Sequence, residues 1–145
     1  MSLAPFEGGV FLADTSAWER AAVPSVRREW AEALAGGQVA TCAIVMMEIL
    51  YTAQDGSEFD GLEQDLRFLR DVPVTRSVTE AAIAAMRDLA HLRPLSHRIP
   101  VPDALVAAAA ADAGLGVVHY DRHYDRLAEV LPFESRWIAP PGTLP

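Results

Sequence analysis

A short apolar run that ends on a carboxylate constrains this chain more than any other feature. Residues 10–13 have the sequence Val-Phe-Leu-Ala, and Asp14, Thr15 and Ser16 follow directly. A continuous apolar run of this length is typical of a strand in a parallel sheet, because helices cover both faces of such a sheet. Ligands of open α/β sheets bind beyond the carboxyl ends of the strands. Asp14 is therefore predicted to lie where ligands bind, although a carboxylate at this point can also begin a helix.

Helix capping explains part of the polar sequence that follows. Ser16 and Glu19 fit a capping box, in which a serine is the N-cap and a glutamate lies three residues further on. We therefore assign Ser16 and Glu19 mainly to the start of a helix over residues 15–22. For Asp14, a structural role and a chemical role are both open at this point.

Length and composition indicate one globular domain. The chain has 145 residues, of which 51% are hydrophobic, and this length can bury a full core. Its single cysteine, Cys42, excludes an internal disulfide framework and a cysteine zinc cluster. Residues 1–9 show neither the basic nor the apolar region of a signal peptide, and no uncharged apolar stretch reaches membrane-spanning length. We expect a cytoplasmic protein with no membrane partner.

The charge balance restricts both partners and chemistry. The chain has 20 acidic and 12 basic residues, a net charge of −8, and every basic residue is an arginine. This balance argues against a general nucleic-acid binder and permits a bound divalent cation. The absence of lysine weakens Schiff-base and phosphate-loop hypotheses, because both need a lysine amine.

Predicted strands and helices alternate along the rest of the chain. Helices are predicted over residues 25–35, 43–53, 58–70, 77–92 and 102–113, with a short one near 122–127. Strands are predicted over residues 38–41, 72–75, 116–120 and 133–138. This alternation predicts an α/β sandwich with a mainly parallel sheet. We expect a single domain over residues 1–145, with a core over about 10–138 and a frayed tail over 139–145.

Details of two helices can also be predicted. Thr41 is a plausible N-cap for the helix over residues 43–53. Ser77 forms a second capping box with Glu80 at the start of the helix over residues 77–92. In that helix, the core-facing side chains are predicted to be Ile83, Met86 and Leu89.

Four further acids lie where a carboxylate needs an explanation. Glu48 is the only charged residue of an apolar helix, so it must be paired with an arginine, protonated or bound to a metal. Asp103 begins a helix, where the macrodipole would stabilise it. Asp121 ends a second predicted strand. Asp125 follows four residues later, where its carboxylate could bond Arg122 or cap the turn.

Convergence of these acids would create a metal site. Asp14, Glu48, Asp103 and Asp121 come from four separate segments and could meet at one edge of the sheet. Close carboxylates raise one another's pKa, so such a cluster favours a bound cation. A ligand set made only of oxygen favours Mg²⁺ or Mn²⁺ over zinc. A metal held there can activate water, so the sequence predicts metal-assisted hydrolysis of a phosphoryl group.

Four motifs in this order resemble those of PIN-domain ribonucleases, specifically the VapC toxins of toxin–antitoxin pairs. They are Leu-Ala-Asp-Thr-Ser at 12–16, Met-Glu-Ile-Leu at 47–50, Pro-Asp-Ala-Leu-Val-Ala-Ala at 102–108 and His-Tyr-Asp-Arg-His-Tyr-Asp-Arg-Leu at 119–127. The resemblance covers residues 10–138 and implies a compact, three-layer α/β/α sandwich. It also implies Mg²⁺- or Mn²⁺-dependent cleavage of RNA. The residues it implies for the site are the catalytic acids Asp14, Glu48, Asp103 and Asp121, a further metal ligand Asp125, and the supporting Thr15 and Ser16.

The same resemblance implies partners and a biological role. Such a protein would be an endoribonuclease toxin of a type II toxin–antitoxin module that inhibits translation and growth. It would pair with a small VapB-type antitoxin and form a homodimer. This chain has His123 where many relatives carry an acid, and His119 where they carry a hydroxyl residue. These departures leave the last ligand and a second metal open.

Three other functions remain open from the sequence. The first is a PIN nuclease of RNA processing or DNA repair. The second is a phosphatase with Asp14 as covalent nucleophile, but haloacid-dehalogenase-like enzymes have a second aspartate where this chain has Ser16, and they use a lysine. The third is a non-catalytic interaction module whose acids only cap helices and form salt bridges.

Overall fold

The computed structural model describes residues 4–145, in which strands and helices alternate as predicted. The strands are β1 (Phe11–Ala13), β2 (Val39–Cys42), β3 (Arg70–Val72), β4 (Gly116–His119) and β5 (Ser135–Trp137). The helices are α1 (Thr15–Trp18), α2 (Arg27–Ala35), α3 (Ala43–Leu50), α4 (Gly56–Leu66), α5 (Arg76–Leu92), α6 (Val101–Ala113) and α7 (His123–Leu127). Within residues 4–145, none of these helices combines the length and the apolar character needed to cross a membrane.

The five strands form one sheet in which every pair is parallel. Their order is β3-β2-β1-β4-β5, so β1 lies at the centre between β2 and β4. The chain builds the sheet outward from β1 on one side and then returns to add β4 on the other side. This reversal of strand order opens a crevice beyond the carboxyl ends of β1 and β4. Asp14 follows β1 directly, and Asp121 lies two residues after β4.

Each face of the sheet has its own hydrophobic core. Successive side chains of β1 point to opposite faces, so Leu12 packs with buried residues of α5 and α6, whereas Phe11 and Ala13 pack with Trp30 of α2. All three β1 residues are buried. Helices therefore cover both faces, which confirms the predicted α/β/α sandwich.

Two glycines allow α6 and β4 to take their positions. Gly114 ends α6 with φ +70°, a left-handed conformation that glycine adopts without the steric cost of a Cβ atom. Gly116 pairs with Phe11 across β1 and β4, and a Cβ atom here would lie 2.7 Å from the Phe11 ring and 2.9 Å from the Glu134 carbonyl oxygen. A larger residue at 116 would therefore push β4 away from the central strand.

Two of the predicted helix caps are wrong. The N-cap of α5 is Thr75, whose hydroxyl accepts a 3.2 Å hydrogen bond from a backbone N–H, so the capping box predicted at Ser77 does not form. The residue before α3 is Cys42, which makes no side-chain cap, so Thr41 is not an N-cap. Helix α5 therefore begins one residue before the predicted range, whereas α3 begins at the predicted residue without a side-chain cap.

Helix α5 also buries a different stripe of side chains from the predicted one. Leu89 is fully buried as predicted, but Ile83 is 52% exposed. Ala82 and Ala85 face inward instead. Helix α5 packs against the alanine-rich α6, and small residues permit this close approach between two helices, so the larger isoleucine remains outside.

The last residues of the chain contact the body of the domain. The backbone N–H of Leu144 donates a 2.8 Å hydrogen bond to the hydroxyl of Tyr120. Arg20 lies over the same ring, with its Cζ atom 4.3 Å from the ring centroid. Residues 139–145, predicted as a frayed tail, are thus connected to the residue that follows β4.

Candidate active site at the carboxyl edge of the sheet

Asp14 is the one acidic residue within 4–145 that is buried, with 5% of its surface exposed. Its Oδ2 atom accepts hydrogen bonds from the backbone N–H of Ser16 at 3.0 Å and from the Ser16 hydroxyl at 2.6 Å. Its Oδ1 atom accepts a 2.6 Å hydrogen bond from the hydroxyl of Tyr124. These three donors fix the orientation of the carboxylate in the crevice.

Ser16 has a role that differs from the predicted one. The N-cap of α1 is Asp14, and Ser16 lies inside the first turn, so the predicted capping box of Ser16 and Glu19 is wrong. The Ser16 hydroxyl donates to Asp14 and accepts a 2.9 Å hydrogen bond from the backbone N–H of Tyr120. One side chain therefore connects the end of β1 to the segment after β4.

Asp103 lies in the first turn of α6 and faces the same crevice. Its Oδ1 atom is 3.5 Å from the Tyr124 hydroxyl that also contacts Asp14. Burial raises the pKa of Asp103 to about 7, and the negative charges of Asp14, Asp121 and Glu48 add to the effect. All four predicted acids therefore lie close enough to influence one another electrostatically.

Glu48 approaches the cluster from α3. Its Oε1 atom accepts a 3.0 Å hydrogen bond from the Thr15 hydroxyl rather than from an arginine. Burial raises the pKa of Glu48, as do the charges of Asp14 and Glu19, although the Thr15 hydrogen bond acts in the opposite direction. The predicted supporting residue Thr15 thus holds the acid that α3 contributes.

His123 joins two of the acids. Its Nδ1 atom is 2.9 Å from Asp121 Oδ1 and 3.2 Å from Asp103 Oδ2. The three residues each offer a ligand atom within 4.8 Å of the others. The sequence pattern did not assign a role to His123, although its position two residues after Asp121 was a signal that it could join the site.

Asp125 points away from this group. Its Oδ1 atom accepts a 2.6 Å hydrogen bond from Ser135, and its Oδ2 atom accepts a 2.9 Å hydrogen bond from the indole N–H of Trp137. Both partners belong to β5. The metal-ligand role expected for Asp125 stays a prediction, and its observed contacts are structural.

His119 lies fully buried beneath the site. Its Nδ1 atom accepts a 3.1 Å hydrogen bond from the backbone N–H of Asp121, and its Nε2 atom is 2.7 Å from the Ser135 hydroxyl. Burial lowers the pKa of His119 to about 4, so the ring is neutral at neutral pH. The ring stacks on that of Tyr124 at a centroid distance of 4.8 Å.

The donor set at this edge fits a divalent cation. Carboxylate oxygens dominate it, and one imidazole nitrogen is added by His123. The raised pKa of Asp103 shows that the cluster accommodates negative charge poorly unless a proton or a cation neutralises it. Asp103, Asp121 and His123 are the residues best placed to hold such an ion, with Asp14 and Glu48 nearby.

A cleft of about 610 Å³ opens next to the acids. Its polar end contains Thr15, Glu19 and Glu48, and its apolar end contains exposed side chains of α3 and the turn after it. Met47 is 58% exposed and Tyr51 is 90% exposed. The cleft therefore places Glu48 of the acid cluster next to exposed apolar side chains.

Comparison with known proteins agrees with this architecture. The family model of the PIN domain matches residues 11–130. Ribonuclease VapC18 of Mycobacterium tuberculosis is 42% identical over 136 residues, which cover 93% of this chain and 99% of that protein. Ribonuclease VapC51 of the same organism is 34% identical, over 92% of this chain and 96% of that protein.

Solved structures agree on the fold. DNA-bound VapBC from Salmonella typhimurium matches with a TM-score of 0.69 and 19% identity, covering 90% of this chain and 99% of that one. VapBC2 from Rickettsia felis, bound to a DNA fragment from its promoter, matches with a TM-score of 0.66 and 13% identity, covering 88% and 98%. The chain belongs to the PIN-domain family. Within that family, its likeness to VapC18 over nearly the full length of both proteins makes it a member of the VapC group.

Proposed function

We propose that this protein is a metal-dependent endoribonuclease, the toxin of a type II toxin–antitoxin module, which cleaves RNA in the cytoplasm and so inhibits translation and growth. The observation that carries this proposal is the convergence of Asp14, Glu48, Asp103 and Asp121 from four segments on the crevice between β1 and β4. The VapC relatives are named ribonucleases, which supports the reaction. A non-catalytic role for the acids would not require them to meet.

Each side chain of the site would have a distinct role in metal binding or in orienting an acid. A bound divalent cation would supply an activated water molecule and neutralise charge on the phosphodiester. Asp103, Asp121 and His123 would hold the ion, and Asp14 and Glu48 would complete the acidic site. Tyr124 and Ser16 orient Asp14 through their hydroxyl groups.

Mn²⁺ is the ion that this donor set favours over Mg²⁺. Mg²⁺ prefers oxygen ligands in a near-ideal octahedron, whereas Mn²⁺ lies closer to the metals that accept imidazole nitrogen. His123 presents its Nδ1 atom between Asp103 and Asp121. This nitrogen atom distinguishes the proposed site from one made only of oxygen ligands.

Of the four arginines in the segments around Asp103 and Asp121, two are available for RNA phosphates. The other two are already engaged: Arg93 is paired with Glu129 at 2.7 Å, and Arg126 donates to a backbone carbonyl at 3.4 Å. Arg98 and Arg122 are exposed, and no salt bridge engages either of them within residues 4–145. These two flank α6 and α7 and would contact the phosphate backbone, which helps explain how a chain of net charge −8 binds RNA.

A VapB-type antitoxin and a second copy of the chain are the proposed protein partners. The neighbouring solved structures include a member of the VapBC family of toxin–antitoxin systems from Mycobacterium tuberculosis and a toxin–antitoxin complex from Klebsiella pneumoniae. The apolar end of the cleft, with Met47 and Tyr51, and the 84% exposed Phe68 offer a surface for a partner helix. The expected complex is tested by co-purification with the product of a neighbouring antitoxin gene and by the mass of the purified particle.

The decisive experiment is sequencing of RNA ends after induced expression. The wild-type chain is compared with Asp14→Asn, Asp121→Asn and, as a control, Asp112→Asn, which changes an exposed acid nine residues along α6 from Asp103. We expect new RNA ends with wild type and Asp112→Asn only. Loss of a ligand should lower cleavage at least about a hundredfold, since even groups around the ligands change activity 10–100-fold.

The folded state of the variants decides what a loss means. Asp14→Asn and Asp121→Asn should remain folded in EDTA, because each relieves charge repulsion in the metal-free cluster. Inactive but folded variants support the site. RNA ends that persist in both variants would contradict the proposal, as would unfolding of both, which would indicate that the acids are structural caps.

A further inference from the structure

A chain of hydrogen bonds runs from the exposed Asp125 to the backbone of Asp121. Its members are Asp125, Ser135, His119 and the N–H of Asp121, and they connect α7, β5 and β4. The nuclease chemistry proposed above uses only Asp121 of these four residues. The other three therefore need an explanation of their own.

The direction of every hydrogen bond in the chain follows from the one that the backbone amide of Asp121 makes. The backbone N–H of Asp121 donates to Nδ1 of His119, so this nitrogen carries no proton. A neutral imidazole has one N–H, which must then be on Nε2 and must donate to the Ser135 oxygen 2.7 Å away. The Ser135 hydroxyl proton is left to donate to Asp125 Oδ1 at 2.6 Å. Asp125 is the final acceptor, and a carboxylate is the strongest acceptor available.

The second oxygen of Asp125 is held as well. Trp137 donates its indole N–H to Oδ2 at 2.9 Å, and the Trp137 ring meets the His119 ring at a centroid distance of 5.0 Å. Asp125 is thus bound at both oxygens by β5. Because both oxygens accept hydrogen bonds from β5, the Asp125 carboxylate connects α7 to β5.

Helix α7 depends on such a connection. It has five residues and no side-chain cap, and a helix this short is not stable by itself. The same helix supplies His123 to Asp103 and Asp121, and Tyr124 to Asp14. A shift of α7 against β5 would therefore move two contacts of the acid cluster at once.

We propose that Asp125 is a positioning residue: through Ser135 and His119 it fixes Asp121, and through β5 it fixes α7 beneath the metal centre. This proposal rests on the nuclease function proposed above. Groups around metal ligands change metal affinity 10–100-fold. Ser135 and His119 act by holding Asp121 in place and do not touch the substrate.

Amide exchange and metal affinity test the proposal without RNA. Exchange of the Asp121 amide proton is followed by NMR in EDTA, and Mn²⁺ affinity is measured by calorimetry. In Ser135→Ala and Asp125→Asn we expect exchange of this amide to be at least about tenfold faster and Mn²⁺ binding about tenfold weaker. Ser135→Thr keeps the hydroxyl and should behave as wild type, and Asp112→Asn is the matched charge control.

Each alternative gives a different pattern. Wild-type exchange and affinity in both Ser135→Ala and Asp125→Asn would overturn the proposal. Normal Mn²⁺ binding in Ser135→Ala together with complete loss in Asp125→Asn would overturn it in favour of Asp125 as a direct ligand. If wild type cleaves no RNA, the nuclease function fails, but the exchange of the Asp121 amide still decides the positioning role.

Discussion

The hydroxyl of Tyr124 donates a 2.6 Å hydrogen bond to Oδ1 of Asp14, a residue 110 positions earlier in the chain. The same hydroxyl lies 3.5 Å from Asp103. Burial raises the pKa of Tyr124 well above its usual value, and the charges of Asp14 and Asp103 act in the same direction. The phenol therefore stays protonated and acts as a donor between two carboxylates.

Tyr124→Phe removes this donor and leaves the ring in place. We expect the free energy of unfolding in EDTA to fall by about 1.5–3 kcal/mol, the usual contribution of a hydrogen bond to a charged group. Saturating Mn²⁺ should reduce the difference in stability between Tyr124→Phe and wild type, because a bound cation also neutralises the charge of the carboxylates. Urea unfolding with and without Mn²⁺ measures both values. The control is Tyr51→Phe, at a 90% exposed ring, which should leave the free energy of unfolding unchanged with and without Mn²⁺. An equal loss of stability with and without Mn²⁺ in Tyr124→Phe would show that the cation does not take over the role of the hydroxyl.

Stability of the metal-free protein should fall as the pH rises through the range set by Asp103. The pKa of Asp103 is about 7 in the folded protein against an ordinary value of 3.8, so the folded state holds this proton more tightly than the unfolded state. The contribution of Asp103 to the free energy of unfolding is fully favourable below about pH 4, decreases between about pH 4 and pH 7, and is constant at higher pH. Its upper limit is about 4 kcal/mol, from 1.36 kcal/mol per pKa unit.

Asp103→Asn isolates this effect. The variant cannot ionise at 103, so its stability relative to wild type in EDTA should increase from pH 5 to pH 8. Urea unfolding at the two pH values gives the difference, since other titrating groups contribute to both proteins. The same difference at pH 5 and pH 8 would show that the Asp103 carboxyl does not carry the raised pKa.

Ser16→Ala should affect both stability and metal binding. It removes a donor to Asp14 and leaves the backbone N–H of Tyr120 without its acceptor. We expect a loss of about 1–3 kcal/mol, the cost of an unsatisfied buried donor, and weaker Mn²⁺ binding in calorimetry. Ser57→Ala, in the exposed first turn of α4, is the control. A stability loss with unchanged Mn²⁺ affinity would mean that Ser16 does not orient Asp14.

His123→Asp should change the choice of metal. It replaces the one nitrogen atom of the proposed ligand set with oxygen, so the ratio of Mn²⁺ affinity to Mg²⁺ affinity should fall by about tenfold, the scale on which groups at a metal site alter its affinity. Calorimetric titration with each ion measures the ratio. His91→Asp makes the same exchange on an exposed part of α5 and should leave the ratio unchanged. An unchanged ratio in His123→Asp would remove His123 from the proposed ligands.

Local patterns in the sequence predict the order of the elements and single out the four acids. The apolar run before Asp14 and the alternation of strands and helices are local properties, and they predict a parallel sheet with acids at its carboxyl edge. The predicted strand over residues 116–120 placed Asp121 in the same group, and the resemblance of the motif at residues 119–127 agrees with this placement. Local patterns carry this information because burial requires apolar runs of strand length and helical spacing.

The contacts of each polar side chain, in contrast, depend on the tertiary structure. Ser16 looked like an N-cap but connects Asp14 to the segment after β4, and Tyr124 reaches an acid 110 positions away. His123 enters the donor group, whereas Asp125 turns to β5. The physical reason is that hydrogen bonds between distant segments depend on strand order and on the placement of a five-residue helix. Neither of these is encoded in the spacing of residues along the chain.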